Sequence, residues 1–508
     1  MMKEVTSFVF AFVLWAFVVH ASPGEALVRR VYQKLTEVGG GQGNGLPRIE
    51  LSGRAYSVAG YRRASNTIFI EQQALDACLR FGAEAESALA FLIGHELTHF
   101  YQDHHWAESD GVTGFVVASS TFEAHTSEEE EADLYGAFLS YLAGYQTTEL
   151  VPRLLDALYA SYGLSPEASG NYPSLAGRKQ VAAGVAKKAE ELILIHKTGA
   201  YLLALGRYPE AVSCFQYINQ FVRCKEGYNN LGIAQLKAAY CGSGMSRQGY
   251  RYPLLADPEL VLRAASEQQR VALLNAAIRN FKVSLDFSPG LIEAHIHLAA
   301  AYSMLGNADS VRYWAGRLER NKPEGSGKAY ASILLGLDAA RQGRRAVAEE
   351  QFLKAKILAN GPVLQLLVSH NLLVVRGQSP PLQRMASATF IEDQIDGLHL
   401  IGTFPAMIRQ KERVPLQGGL VLSYLSRDDS NLFFLERGGG LLKLHLTTGQ
   451  KWQSSLGLGV GDILDGARFP QVDITPAANG AFGLIREKGL VFQLDEQGVI
   501  REWGIFMM

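Results

Sequence analysis

One set of spacings recurs in the middle of the chain and constrains its fold more than any other feature. Gly199, Gly206, Ala211 and Phe215 stand 7, 5 and 4 residues apart, and Gly336, Gly343, Ala348 and Phe352 repeat those intervals. Between them, Tyr228, Leu231 and Gly232 open a unit that resumes at Ala277, Phe281 and Pro289 after an insertion. Leu298, Tyr302 and Gly306 open another. Small residues let paired helices touch and aromatic residues fill the joint, so residues 188–360 read as helix pairs stacked in series. A generic helical bundle is the plainer alternative, and it leaves the shared intervals unexplained.

The rest of the chain falls into different regimes. With 508 residues, about two to four domains are expected. Residues 25–185 mix strand-like runs (Arg48–Leu51, Thr67–Ile70) with helical spacing over 83–104 and 127–146. From residue 380 to 508, short apolar runs at 419–422, 431–435, 441–446 and 489–494 alternate with turns such as 437–440 and 495–498. That pattern predicts a small, mostly β domain, too short to close a propeller of four or more blades. The predicted fold class is therefore multidomain and mainly α: an α+β domain, an α-solenoid and a mostly-β C-terminal domain.

Charge and termini narrow the partners. Lys and Arg number 48 against 50 Asp and Glu, for a net charge of −2, so no basic field exists to bind nucleic acid. Residues 1–21 join a charged start to an apolar run from Val5 to Val19 and a small residue, Ala21, before Pro23. This is the pattern of a secretory signal peptide, and it predicts a periplasmic or secreted mature chain without a membrane span. There Cys78, Cys214, Cys224 and Cys241 could oxidise, with a local bridge open among the last three.

The chemistry concentrates at Gly94-His95-Glu96-Leu97-Thr98-His99, which follows the apolar run Ala88–Ile93. Two histidines four residues apart on a helix lie about 40° apart around its axis, so both reach one tetrahedral ion. Glu96, on the same turn, is placed to take a proton from a metal-activated water. A third ligand is needed. His105 fits the spacing HExxHxxGxxH, but Gln102 replaces its helix-breaking glycine. On a continuing helix His105 would lie roughly 120° away from the metal-facing side. The acidic run Glu128–Glu131 with Asp133 offers the alternative. Glu129 and Asp133 are i and i+4, so one carboxylate can ligate metal while the other accepts a histidine ring N–H. Glu129 is the preferred ligand.

HELTH followed by Glu129, Ala132, Asp133 and Gly136 resembles the zinc peptidase family that includes the CAAX prenyl proteases and the heat-shock protease HtpX. His104 and the upstream run Asn66–Ile70 match as well. The resemblance covers residues 45–145 and implies a gluzincin-like site. One zinc per chain would be held by His95, His99 and Glu129, with Glu96 as base and Asp133 as its catalytic partner behind the ligands. Two departures stand out: His125-Thr126 replaces the family's Ser-Arg, and only 29 residues (100–128) separate the motifs, too few for two membrane spans. The helical units in turn resemble tetratricopeptide repeats. Signal, peptidase and repeats in that order are similar to the periplasmic β-barrel-assembly-enhancing proteases of the family. The implied activity is zinc-dependent endoproteolysis of polypeptides in envelope protein quality control, with polypeptide substrates, partner proteins or membrane-associated partners met through the repeats. The rival reading is a repeat-bearing chaperone or assembly scaffold with a latent or structural zinc site. Tyr135, His125 and His104 are available as oxyanion donors.

Overall fold

The computed structural model describes residues 23–41, 45–53, 57–102, 113–114, 122–167, 174–240, 249–253, 267–321, 326–360, 362–378, 395, 412–427, 429–437, 440–465, 468–469, 471–477, 480–495 and 497–507. The chain is mostly helical with a C-terminal antiparallel sheet. It divides into two compact units, one of Met1–Leu35 with Pro47–Ala183 and one of Thr36–Leu46 with Gly184–Met508. Among the described residues no helix is long and apolar enough to cross a membrane. The expected signal peptide lies outside the described residues.

In the first unit, strands β1 (Arg48–Ser52), β2 (Ala59–Arg62), β3 (Thr67–Glu71) and β4 (Thr113–Gly114) form a mixed sheet in the order β1-β3-β2-β4. Helices α1 (Pro23–Gly39), α2 (Gln72–Leu79), α3 (Ala85–Tyr101), α4 (Phe122–Leu142) and α5 (Val151–Tyr162) complete it. Every residue of α3 from Ala88 to Tyr101 is buried, as an apolar-all-round sequence requires. The helix ends three residues earlier than the spacing predicts. The Gln102 N–H bonds back to the Thr98 carbonyl and closes the last turn. Helix α4 begins five residues earlier than predicted and ends at Leu142.

Two glycines set the distance between α3 and α4. A Cβ on Gly136 would stand 2.7 Å from the His95 amide nitrogen, and one on Gly94 would stand 2.9 Å from the Gly136 carbonyl oxygen. The backbones therefore touch, and the Ser140 hydroxyl, donating to the Gly136 carbonyl at 2.8 Å, also reaches Ala90.

The chain returns to the second unit within α6 (Leu175–Ala204). Helices α7 (Tyr208–Ile218), α8 (Lys225–Tyr240), α9 (Glu267–Phe287), α10 (Ile292–Leu305), α11 (Ala308–Asn321), α12 (Ser326–Arg341), α13 (Arg345–Leu358) and α14 (Pro362–Val375) follow. Consecutive helices pack in pairs, and the recurring intervals become one recurring joint. Added Cβ atoms on Gly199, Gly232 and Gly336 would lie 2.9, 2.6 and 2.7 Å from the rings of Phe215, Phe281 and Phe352. In the pair α10–α11 the corresponding positions are Ala299 and Ala315, both buried. The bulk removed from one helix is partly returned by the other, which keeps the joint filled.

Cys214 and Cys224, like Cys78, are buried as free thiols; Cys241 lies outside the described residues. Strands β5 (Glu412–Pro415), β6 (Val421–Arg427), β7 (Ser430–Arg437), β8 (Gly440–Thr447), β9 (Asp473–Ala477), β10 (Gly480–Ile485), β11 (Leu490–Leu494) and β12 (Ile500–Met507) form one sheet, ordered β5-β6-β7-β8-β12-β11-β10-β9. Two four-stranded meanders thus meet at β8 and β12.

The joint gives a direct test. Gly336→Ala should destabilise the protein by about 1–3 kcal/mol, because a ring cannot retreat from a packed core. Phe352→Leu in that background should recover part of the loss, read as coupling in a double-mutant cycle of unfolding free energies. Strictly additive effects would show that the ring contact is not the cause.

Candidate metal centre

Helix α3 carries His95 and His99 on the turn that faces α4, and α4 answers with Glu129 and Asp133. Glu129, Asp133, Gly136 and Ser140 fall at i, i+4, i+7 and i+11, so the stripe that carries the carboxylates also carries the close crossing. Among the described residues this is the group of His, Cys, Asp or Glu side chains that can hold a metal ion: His95, His99 and Glu129 offer ligand atoms within 4.8 Å of one another.

The separations are specific. His95 Nε2 lies 3.1 Å from His99 Nε2 and 3.3 Å from Glu129 Oε2, while His99 Nε2 lies 3.7 Å from Glu129 Oε1. A tetrahedral ion with bonds of about 2.0–2.1 Å needs donor atoms roughly 3.3–3.4 Å apart. The two imidazoles and the carboxylate, each contact made to a different Glu129 oxygen, lie close enough together to hold one metal ion.

Behind the ligands, Asp133 Oδ1 lies 2.8 Å from His95 Nδ1. The carboxylate accepts, so Nδ1 carries a proton and Nε2 is the ring nitrogen left to meet a metal once its own proton is displaced. A side chain that sequence reasoning missed stands behind Asp133. Arg178, near the start of α6, places Nη1 at 3.5 Å from Asp133 Oδ2 and Nη2 at 4.0 Å from Glu129 Oε2. No spacing ties Arg178 to the histidine motif; only the fold brings it there. It delivers a guanidinium to the carboxylates from a third helix.

Burial and pairing divide the titrations. Burial pulls the His95 pKa down, but its bonds to Asp133 and Glu129 outweigh that and push it up to about 10. Burial opposes the charge of Glu129, yet the His95 bond and the His95, His99 and Arg178 charges hold it down at about 2. Glu96 behaves oppositely. Both its oxygens are buried without a hydrogen bond of normal geometry among the described residues, and burial pushes its pKa up to about 8. The His95 charge and the nearby Tyr61 backbone only moderate that rise.

Tyr135 is fully buried beside Tyr101, ring centroids 6.2 Å apart, within the packing of α3 against α4. His104, His105 and the His125 side chain lie outside the described residues. The sequence matches no protein-family model and no curated protein.

A raised His95 pKa has a definite consequence. A metal must displace the proton from Nε2, so protons compete with metal wherever pH is below about 10. Metal affinity should rise by about tenfold per pH unit between roughly pH 6 and 9. Chelator competition at each pH measures it, and an affinity independent of pH would mean that His95 is already neutral without metal.

Proposed function

We infer that this chain is a zinc-dependent endopeptidase acting on polypeptides outside the cytoplasm. The observation that carries this reading is Glu96, a buried carboxylate without a good hydrogen-bond partner beside a donor set that can hold a metal ion. A structural metal site has no use for such a group. Burying an unpaired acid is destabilising, and a base for proton transfer accounts for why it is there.

His95, His99 and Glu129 would hold the zinc, with Asp133 and Arg178 fixing the orientation of His95 and Glu129. When bound, zinc supplies Lewis-acid polarisation of a carbonyl and an acidified water. Glu96 then takes the proton of the attacking water and returns it to the leaving amine. An acid whose pKa sits near neutrality can do both. The paired helices read as tetratricopeptide repeats that recruit polypeptides, and residues 1–21 as the signal that exports the chain. The resemblance in motif order supports envelope protein quality control as the setting.

The experiment is degradation of an unfolded protein by wild type, Glu96→Gln and Glu129→Ala, each with its zinc content measured. Glu96→Gln should keep its zinc and lose activity by about 10²–10⁴-fold. Glu129→Ala should lose the metal. Zero activity in wild type and Glu96→Gln alike, with zinc retained by both, would favour the scaffold reading instead.

A further inference from the structure

Residues 249–253 (Gly-Tyr-Arg-Tyr-Pro) belong to the insertion between α8 and α9. They lie outside helix and strand, yet helical side chains hold them throughout. Asn371 on α14 is fully buried and faces one residue with both of its polar groups. Its Oδ1 accepts from the Arg251 N–H at 2.8 Å, and its Nδ2 donates to the Arg251 carbonyl at 2.8 Å. His370 Nε2 donates to the Gly249 carbonyl at 2.8 Å, and the Tyr240 hydroxyl on α8 donates to the Tyr250 carbonyl. Three successive carbonyls are thus taken by side chains of the array.

A residue whose N–H and C=O face the same way is extended. A carboxamide that meets both reproduces what a neighbouring strand does in a hydrogen-bonded pair. These contacts read backbone, so they are indifferent to sequence. Selection lies in the two tyrosines that flank Arg251, both buried. Tyr250 packs on Phe352 of α13, ring centroids 6.4 Å apart. Tyr252 meets Tyr240 edge to face at 5.6 Å, and its hydroxyl lies 2.9 Å from the Ser303 hydroxyl of α10. That last bond favours tyrosine over phenylalanine, because the analogue would leave a buried hydroxyl with one partner fewer. Backbone contacts for affinity with pockets for alternate side chains are the means by which extended peptides are recognised.

We propose that residues 249–253 are a tethered ligand of the helical array, occupying in cis a site that accepts an extended Tyr-X-Tyr segment of another polypeptide. The site is distinct from the metal centre. Tethering gives the resident segment an effective concentration of about millimolar, so a free segment enters only when it exceeds that or when the resident one is weakened.

The test uses the full chain and a fluorescent peptide copying residues 247–255. Wild type should bind it only at about millimolar concentration. Tyr250→Ser with Tyr252→Ser should bind it at least about tenfold more tightly, and adding Asn371→Ala should abolish that gain. A folded double variant that binds no better than wild type overturns the proposal. Should the double variant fail to fold, hydrogen exchange of the wild type decides. Several-millimolar peptide should accelerate exchange at the amides of residues 249–252 by about tenfold. Unchanged protection would make the segment fixed core and overturn the proposal. The readout is binding, so it is indifferent to whether the chain is a peptidase.

Discussion

The contact between the α3 and α4 backbones at Gly94 and Gly136 is the constraint on which the candidate metal centre depends. With a Cβ at either position, the helices would have to separate by the width of a methyl group. Donor separations of 3.1–3.7 Å leave no room for that. His95 follows Gly94 directly, and Asp133 precedes Gly136 by one helical turn, so any widening at the crossing opens the His95–Asp133 bond at once. The glycines spend helix propensity, about 1 kcal/mol each against alanine, to hold a geometry that no longer side chain permits.

Charge balance explains why so many ionisable groups share one buried place. Arg178 and protonated His95 face ionised Glu129, with Asp133 bonded to His95, while Glu96 is protonated below about pH 8. Pairing opposite charges is how a low-dielectric interior tolerates them. A divalent ion brings two positive charges, and release of the protons on His95 and Glu96 removes two. A metal ion bound there would displace protons, which limits the change in total charge.

Much of the centre was legible because helical periodicity is local. The i, i+4 pairs His95/His99 and Glu129/Asp133 fix which side chains share a face, and the apolar run before His95 predicts burial. Arg178 was not legible, since its approach depends on where a third helix starts and carries no spacing signal. The ends of α3 and α4 were misplaced for a similar reason. Gln102 closes α3 by a backbone bond that any residue can make. In the C-terminal sheet, the runs that became β6, β7, β8 and β11 could be read. Strands β9 and β10 could not, because Pro476, Gly480 and Gly483 interrupt their alternation. Nor does sequence reveal that Glu502 on β12, 2 % exposed, is bound by the Tyr201 hydroxyl at 2.8 Å and by Lys197 at 3.1 Å. That network ties the sheet to α6 within one compact unit.

The insertion after α8 changes how the helical array holds together. In a simple array each pair meets only its neighbours, so stability is a sum of local terms and the ends fray independently. Here Asn371 binds Arg251, which lies 120 positions earlier, and Tyr252 joins α8 to α10. These bonds connect early and late helices directly, so the last pair cannot open without exposing two buried tyrosines and the carboxamide between them. The insertion, through the contacts of residues 249–253, thus links helices that a simple array would leave to their neighbours alone. The entropy of closing that loop grows only slowly with its length, whereas each burial it allows contributes in full.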